Sequence, residues 1–451
     1  MPKNFSQKQI IIIGGVVLVV LIGAIVFFLN IRTKSASQQA ITIIIWGTDS
    51  TTAFNDLIQS YAGPGSGTQS HITYVQIDPS EYREKLLAAL AAGTGPDVFE
   101  ISNRDLSQWQ SVIAPIPATL STEFNQVTLQ SDFPDVVAQD FVSGGQIYAL
   151  PLSIDTLAMI YNKDLFNTAG IATVPTTWEG LQADLPQLRV TNAQGQITQA
   201  ALALGGSEAS IYNAPDIIFL LMMQNGAQMT STDGTTVTFA SGGSTNNSPG
   251  TGGVGSAGVD NSGLNAFNYY LQFANANDSN YTWNDGMGSA LASFEQGKTA
   301  VIFDYSSALP AITAAAPFLN YGVSAMPQPA NATVAVNYPK YNGLAVSRDS
   351  TQIAGAWNFI INLTTSAADE NIYTKDTGAP PALRSVIAAD QTNPALSVFA
   401  SQALTAQSWH ESNSETIDSI MNTAIENVLN GAADSTTALN QAQTAMNAIG
   451  N

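Results

Sequence analysis

The chain has 451 residues, with 14 Lys and Arg against 34 Asp and Glu, so its formal net charge is −20 at pH 7. A body this acidic repels nucleic acid and anionic lipid, which argues against a polyanionic partner. The chain contains no cysteine, which excludes disulfides, thiolate metal sites, a cysteine nucleophile and a lipid-modified N-terminal cysteine. Apolar residues make up 45% and charged residues 11%, a balance typical of a globular chain, and the length predicts two or three domains.

The first predicted element is a membrane anchor. Residues 10–29 form an uncharged apolar run, and a helix of that length, rising about 1.5 Å per residue, spans the roughly 30 Å hydrocarbon core of a bilayer. A secretory signal has an apolar region of only about 7–15 residues, although cleavage near Ser35 or Ser37 stays as the alternative. We therefore expect a single-pass protein of the cell membrane, with residues 1–9 in the cytoplasm, residues 30–40 as a polar tether and the body on the extracytoplasmic side.

An alternating pattern of strands and helices follows the tether. Apolar and β-branched runs predict buried strands over residues 41–46, 71–77 and 98–101. Apolar residues at helical spacing lie in each of the two intervals, and the second helix begins at Asp78-Pro79. Strands that alternate with helices in this order require right-handed crossovers, so we expect a parallel sheet.

The rest of the chain predicts a second α/β unit. Strands are expected over residues 147–150, 157–161 and 299–303. Residues 241–263 are rich in glycine and serine and predict a surface loop within this unit rather than a linker between domains. Two amphipathic helices are expected near the C-terminus, the first of them closed by Gly431.

Catalytic signals are scarce in the sequence. It contains no Walker loop and no H-E-x-x-H or G-x-S-x-G motif. His71 and His410 have no partner at a ligand-like spacing, and the oxygen-rich stretch 275–285 lacks the order of a calcium loop. We therefore expect no catalytic residue, no metal site and no cofactor.

Several phrases in a fixed order carry a family resemblance. They are Gly95-Pro96-Asp97-Val98, Tyr148-Ala149-Leu150-Pro151, Tyr161-Asn162-Lys163-Asp164-Leu165-Phe166, Pro175-Thr176-Thr177-Trp178, Phe294-Glu295-Gln296-Gly297-Lys298 and Ala325-Met326-Pro327. Together they resemble the family 1 extracellular solute-binding proteins of ABC importers, the maltose-binding-protein-like group. The resemblance covers residues 41–451. The missing lipid-anchor cysteine, the long anchor and the glycine-rich stretch depart from the family pattern.

The resemblance implies a fold and a function. The implied fold is the two-lobed, periplasmic-binding-protein-like α/β fold of type II, with a hinge and a ligand cleft between the lobes. By similarity, lobe one takes residues 41–152 and 342–382, and lobe two takes residues 153–341 and 383–451. The implied protein is a monomer that binds a small solute, with a sugar or oligosaccharide as the expected ligand, and delivers it to the permease of an ABC importer.

Polar and aromatic residues at the expected strand ends and lobe crossings are the candidate ligand contacts, because ligands of open α/β sheets bind beyond the carboxyl ends of strands. The resemblance places Asp155 where the family has a carboxylate that bonds ligand hydroxyls. Other roles stay open: core or helix cap for Trp46 and Asp49, hinge cap for Asp155, and packing at the rim for Trp409. The candidates are Trp46, Asp49, Asn103, Arg104, Asp155, Tyr212, Asn213, Asp304, Tyr305, Tyr341, Asn342 and Trp409.

Two other functions compete with solute capture. Carboxylates and aromatic residues also build the clefts of carbohydrate-active hydrolases, and a solute-binding fold also serves as the ectodomain of a sensor or adhesin. The specific phrases and the lack of a catalytic motif disfavour the hydrolase. A thermal-shift screen of solutes separates these functions best, because a ligand of the folded state raises the melting temperature.

Overall fold

The computed structural model describes residues 41–62, 70–240, 261–389 and 393–449. The predicted anchor, the tether and nearly all of the glycine-rich stretch lie outside the described residues. Among the described helices, none combines the length and the apolar character that crossing a membrane requires.

Strands and helices alternate through the first part of the chain, as the sequence predicts. The strands are β1 Ile41–Gly47, β2 Ser70–Gln76, β3 Val98–Ser102, β4 Val142–Ser143, β5 Gln146–Ile147, β6 Leu150–Pro151, β7 Asp155–Thr156, β8 Ala158–Asn162, β9 Val190–Thr191, β10 Ile197–Gln199, β11 Val301–Asp304, β12 Tyr321–Ser324, β13 Pro339–Lys340 and β14 Asn342–Val346. The α-helices are Thr51–Ala62, Pro79–Ala91, Leu106–Trp109, Gln126–Asp132, Asp135–Phe141, Lys163–Thr168, Trp178–Leu188, Ala214–Gln224, Ser262–Leu271, Ala290–Glu295, Ala308–Ala315, Ile353–Thr364, Ala367–Thr377, Arg384–Ala389, Pro394–Ala403, Ser414–Leu429 and Ser435–Ala448.

The first sheet has five strands in the order β2-β1-β3-β14-β6. Strand β1 pairs in parallel with β2 and β3, which confirms the predicted β-α-β-α-β unit. Strand β14 returns much later in the chain and pairs antiparallel with β3 and β6. The predicted strand 147–150 is divided instead, because Ile147 pairs with β4 while Leu150 pairs with β14.

The second sheet is antiparallel, with β8 between β11 and β12. Asn162 ends β8 and caps the next helix, since its Oδ1 accepts hydrogen bonds from the N–H groups of Asp164 at 3.0 Å and Leu165 at 3.1 Å. Thr177 caps the helix Trp178–Leu188 in the same way, with its hydroxyl accepting from the N–H of Gly180. Both family-like phrases thus mark helix starts, where an unpaired backbone N–H needs an acceptor.

Each sheet belongs to a separate hydrophobic core, so the body has two lobes. One core is built around β1, β3 and β14 and includes Phe54, Phe99 and Trp357. The other is built around β8 and β11 and includes Phe219 and Trp283. The first core also takes four residues from residues 383–451, the C-terminal stretch that the sequence assigns to lobe two, namely Leu383, Val386, Ala403 and Ala406.

Short backbone pairings lie where the chain crosses between the lobes. Strand β7 pairs antiparallel with β13, with Asp155 opposite Lys340. Asn337 forms a parallel bridge with Ala406, and the N–H of Gln407 donates to the carbonyl of Asn337. These crossings form the base of the cleft between the lobes.

Candidate functional site

Two adjoining cavities lie in this cleft. The hinge cavity, of about 320 Å³, is lined by residues of both lobes, including Asp49, Glu100, Asp155, Tyr341, Asn342 and Tyr373. The lobe-two cavity, of about 300 Å³, is lined among others by Tyr212, Asn213, Asp304 and Ala308. Tyr305, Ser307 and Lys340 line both cavities, so the two form one continuous candidate site.

Carboxylates dominate the hinge cavity. Glu100 Oε2 accepts from Thr48 through the backbone N–H at 3.0 Å and the hydroxyl at 2.9 Å, and from the side-chain amide of Asn342 at 3.4 Å. Burial, followed by the nearby charge of Asp49, raises the pKa of Glu100 to about 8. Asp49 accepts from the hydroxyl of Tyr373 at 2.5 Å, and burial raises its pKa as well.

The carboxylate of Asp155, in the wall of this cavity, accepts three hydrogen bonds. Its Oδ1 accepts from the N–H groups of Thr156 at 2.9 Å and Ser306 at 3.1 Å, and its Oδ2 accepts from the Ser306 hydroxyl at 2.7 Å. Burial raises the pKa of Asp155 to about 6. The side chain therefore links a crossing strand to the turn that follows β11, a geometry that suits the hinge-cap alternative. Because Asp155 also lines the hinge cavity, its contact with the solute stays a prediction.

Aromatic faces and amides line the lobe-two cavity. Tyr212 is 74% exposed, and the Lys340 ammonium lies 5.6 Å from the centre of its ring. Asn213 donates to Asp304 at 2.8 Å, and burial raises the pKa of Asp304. Tyr305 is buried, and its hydroxyl donates to Asp216 at 2.8 Å.

Asn103 and Arg104, expected at a strand end, lie behind the cavities rather than in their walls. Asn103 donates to Asp140 at 3.1 Å and accepts from the N–H of Tyr341, and the hydroxyl of Tyr341 donates to Asp140 at 2.6 Å. Arg104 is buried in ion pairs with acidic residues of lobe two. Neither Asn103 nor Arg104 lines either cavity.

Neither candidate tryptophan lines a cavity. Trp46 is the penultimate residue of β1 and packs against the first core, and its carbonyl accepts from the hydroxyl of Tyr82 at 3.2 Å. Trp409 is buried in the second core, with its ring edge-on to Phe219 at 5.2 Å. Its indole N–H has no partner among the described residues. The core role left open for Trp46 matches its position, whereas Trp409, for which packing at the rim was the alternative, lies in the second core instead.

The structure adds cavity residues that sequence reasoning missed. Lys340 is the one basic side chain among the described residues that line the two cavities. Its position next to a crossing is visible only once β13 is paired with β7. The sequence could have identified Glu100, because a carboxylate inside the apolar strand Val98–Ser102 is costly to bury unless polar groups or a ligand contact it.

The polar and aromatic side chains of the site suit the binding of hydroxyl groups. Among the described residues, no cluster of three potential metal-ligating side chains occurs, and His71 and His410 line neither cavity. The carboxylate and amide oxygens accept hydrogen bonds from hydroxyl groups, while the tyrosine rings offer apolar faces. This set can hold a polyhydroxylated solute.

Comparisons with known proteins identify a family of binding proteins. Residues 48–370 match the family model of the bacterial extracellular solute-binding proteins. Curated relatives from Brucella abortus and Brucella suis, which bear the name of binding proteins, are 31% identical over 113 residues. The chain spans only about a quarter, 26%, of the length of these relatives.

Solved structures share the two-lobed fold. The cyclic alpha-maltosyl-1,6-maltose binding protein from Arthrobacter globiformis has a TM-score of 0.72 at 20% identity, over 91% of this chain and 98% of that one. The sugar-binding protein MalE from Xanthomonas citri has a TM-score of 0.71 at 16% identity, over 90% and 97% of the two chains. The family match covers well over half of the sequence, and the chain belongs to the bacterial extracellular solute-binding protein family.

Proposed function

We propose that this protein captures a sugar or oligosaccharide in the cleft between its lobes and delivers it to the permease of an ABC importer. The observation that carries the proposal is the lining of the lobe-two cavity, which the exposed ring of Tyr212 shares with the carboxylate of Asp304 and the amide of Asn213. Sugars require this combination, because one side of a pyranose is apolar and its hydroxyls need directional partners. A binding role without catalysis is part of the proposal.

Similar structures support a carbohydrate as the solute. The protein from Arthrobacter globiformis is named for a cyclic maltosyl-maltose, and one from Listeria monocytogenes was solved with cycloalternan. The site itself disfavours an anionic solute, because Lys340 is the one basic residue among its described lining residues. A buried phosphate without cationic partners is costly.

We expect neutral oligosaccharides to raise the melting temperature of the protein. Saturation at about 100 times the dissociation constant adds about 2.7 kcal/mol to the stability of the folded state. A thermal-shift screen with maltotetraose, cycloalternan and mannobiose, with glucose 6-phosphate as the anionic comparison, measures this. Tyr212→Ala should weaken binding by about 1 kcal/mol through the lost ring face, whereas Val127→Ala, at an exposed position of lobe one, serves as the matched control. A response to glucose 6-phosphate alone would contradict the proposal.

The boundaries of the lobes belong to the proposal too. We place lobe one at residues 41–152 and 342–406 and lobe two at residues 153–341 and 407–451. Residues 383–406 are assigned to lobe one because four of their side chains pack in its core. This moves the boundary that the sequence suggests, and it makes the stretch around Ala406 the third crossing of the hinge.

We further propose that residues 10–29 anchor the body to the cell membrane, outside the cytoplasm. The apolar run is long enough to span a bilayer, and a tether of eleven residues has a root-mean-square reach of roughly 18 Å. We expect the native protein to sediment with membranes and to resist extraction by high salt. N-terminal sequencing that begins near Gln38 would instead identify a cleaved signal.

A further inference from the structure

Arg104 connects the two lobes through a buried cluster of charges. Its Nε and Nη2 donate to the two carboxylate oxygens of Glu411, both at 2.7 Å. Its Nη2 and Nη1 also donate to the two oxygens of Asp418, at 2.6 Å and 2.9 Å, and Nη1 reaches Asp216 at 3.1 Å. Arg104 follows β3 of lobe one, whereas Asp216 and Asp418 lie on helices that pack in the core of lobe two.

The cluster reaches the cleft through Asp216. The second carboxylate oxygen of Asp216 accepts from the hydroxyl of Tyr305 at 2.8 Å and lies 3.7 Å from the ammonium of Lys340. That ammonium also lies 5.2 Å from the centre of the Tyr305 ring. Tyr305 and Lys340 line both cavities, while Arg104 lines neither.

Separation of the lobes would be costly at this point. The side chains of Arg104, Asp216 and Glu411 are 3%, 4% and 0% exposed. If Arg104 moved away with lobe one, three carboxylates would face one another, and the half-exposed Lys340 is the one other cation paired with any of them among the described residues. Removal of one partner from a buried ion pair is strongly destabilising because it leaves a buried charge uncompensated.

We infer that Arg104 is a positioning residue that couples the approach of the two lobes to the placement of Tyr305 and Lys340 in the cleft. Arg104 does not contact the solute; it holds Asp216, and Asp216 holds the two cavity residues. The inference rests on the proposed function, since the cleft is taken to be the solute site. In this arrangement, part of the free energy of closure comes from the protein itself and not from the solute.

The distance between the lobes in the empty protein tests the inference. The chain has no cysteine, so Val127→Cys and Phe318→Cys provide two unique sites for spin labels. Val127 is 78% exposed and lies on a helix of lobe one, while Phe318 is 98% exposed and lies in lobe two. Pulsed electron–electron double resonance then reports the populations of short and long distances without any solute.

Arg104→Met should shift the population towards long distances, by roughly tenfold in the ratio of long to short. Arg104→Lys should restore part of the short population, because an ammonium keeps the charge but cannot form the two bidentate pairs. Arg348→Met is the matched control, since Arg348 donates to carbonyls of Gln110 and Ile113 within lobe one. We expect this control to match the parent protein.

Two further variants keep the test decisive. If Arg104→Met does not fold, the neutralised variant Arg104→Met with Asp216→Asn, Glu411→Gln and Asp418→Asn removes the uncompensated charges, and the same shift is expected from it. Tyr305→Phe removes the hydroxyl that reaches Asp216, and its effect on the distance ratio should be non-additive with that of Arg104→Met.

The outcomes separate this inference from the proposed function. Folded Arg104 variants with the distances of the parent protein would overturn the coupling and leave the cluster a structural one. Additive effects of Arg104→Met and Tyr305→Phe would overturn the path through Asp216. A parent protein that closes but responds to no sugar in the thermal-shift screen would refute sugar capture while the coupling stands.

Discussion

We expect the free energy of unfolding to fall as the pH rises from about 5 to about 8. Several buried carboxyl groups have a raised pKa because burial disfavours their charged form, and four of them carry this prediction: Asp155 with a pKa of about 6, Asp140 and Glu370 of about 7, and Glu100 of about 8. None of the four forms an ion pair among the described residues. Each therefore ionises in the folded protein without a cation in direct contact.

The sign follows from proton binding. Between the unfolded pKa of about 4 and the folded pKa, the folded state holds protons that the unfolded state has lost, so stability declines with rising pH. The contribution of these groups is fully present below about pH 4 and is lost as the pH passes through 6 to 8. One pKa unit corresponds to about 1.4 kcal/mol, so several groups together should lower the free energy of unfolding by several kcal/mol. Exposed acids with a lowered pKa, such as Asp78 and Asp434, change the pH dependence of stability only below about pH 4.

Urea titrations at pH 5.0, 6.5 and 8.0 measure the effect. Glu100→Gln should flatten the decline above pH 6, because a neutral amide cannot ionise while its oxygen still accepts from Thr48. Glu84→Gln, on the exposed side of the helix Pro79–Ala91, is the matched control and should keep the slope of the parent protein. Stability that is constant or rises between pH 5 and pH 8 would show that these carboxyls are not buried as described.

Local patterns predicted much of the fold. The parallel unit of β1, β2 and β3 followed from hydrophobic periodicity and from the cap at Asp78, whose side chain accepts from the N–H of Ser80. Gly431 closes the helix Ser414–Leu429 with a φ of 69°, as its position after the last apolar residue indicates. Such features depend on neighbours in sequence, which a reader of the sequence can see.

The candidate site was predicted less completely because its partners are distant in sequence. The rule of strand ends placed Asp49, Asp304 and Tyr305 at the cavities. The same rule wrongly predicted that Arg104 lies at the cavities. Its partners Asp216 and Glu411 are 112 and 307 residues away in the sequence, so the sequence does not show its burial. Sequence shows that an arginine follows a strand, but only the packing of two lobes shows which carboxylates surround it.

We expect Asp155 to act mainly as a hinge cap, so that the loss of its oxygens matters more than the loss of its charge. Three donors already occupy its carboxylate, which has about four lone-pair sites. Asp155→Ala leaves the buried N–H groups of Thr156 and Ser306 without acceptors, and each unsatisfied group costs about 1–3 kcal/mol. The free energy of unfolding of the empty protein should therefore drop by about 3 kcal/mol.

Asp155→Asn is the matched variant, because its amide oxygen can still accept from both N–H groups and the Ser306 hydroxyl can rotate to accept from the new NH₂. It also removes a carboxylate whose pKa burial has raised to about 6, so the loss of stability should stay below about 1 kcal/mol. Calorimetric unfolding of both variants, together with titration by a sugar found in the screen, separates two roles. A charge that binds solute hydroxyls would instead cost Asp155→Asn about 1.5–3 kcal/mol of affinity at unchanged stability, and that result would assign Asp155 to the solute rather than to the hinge.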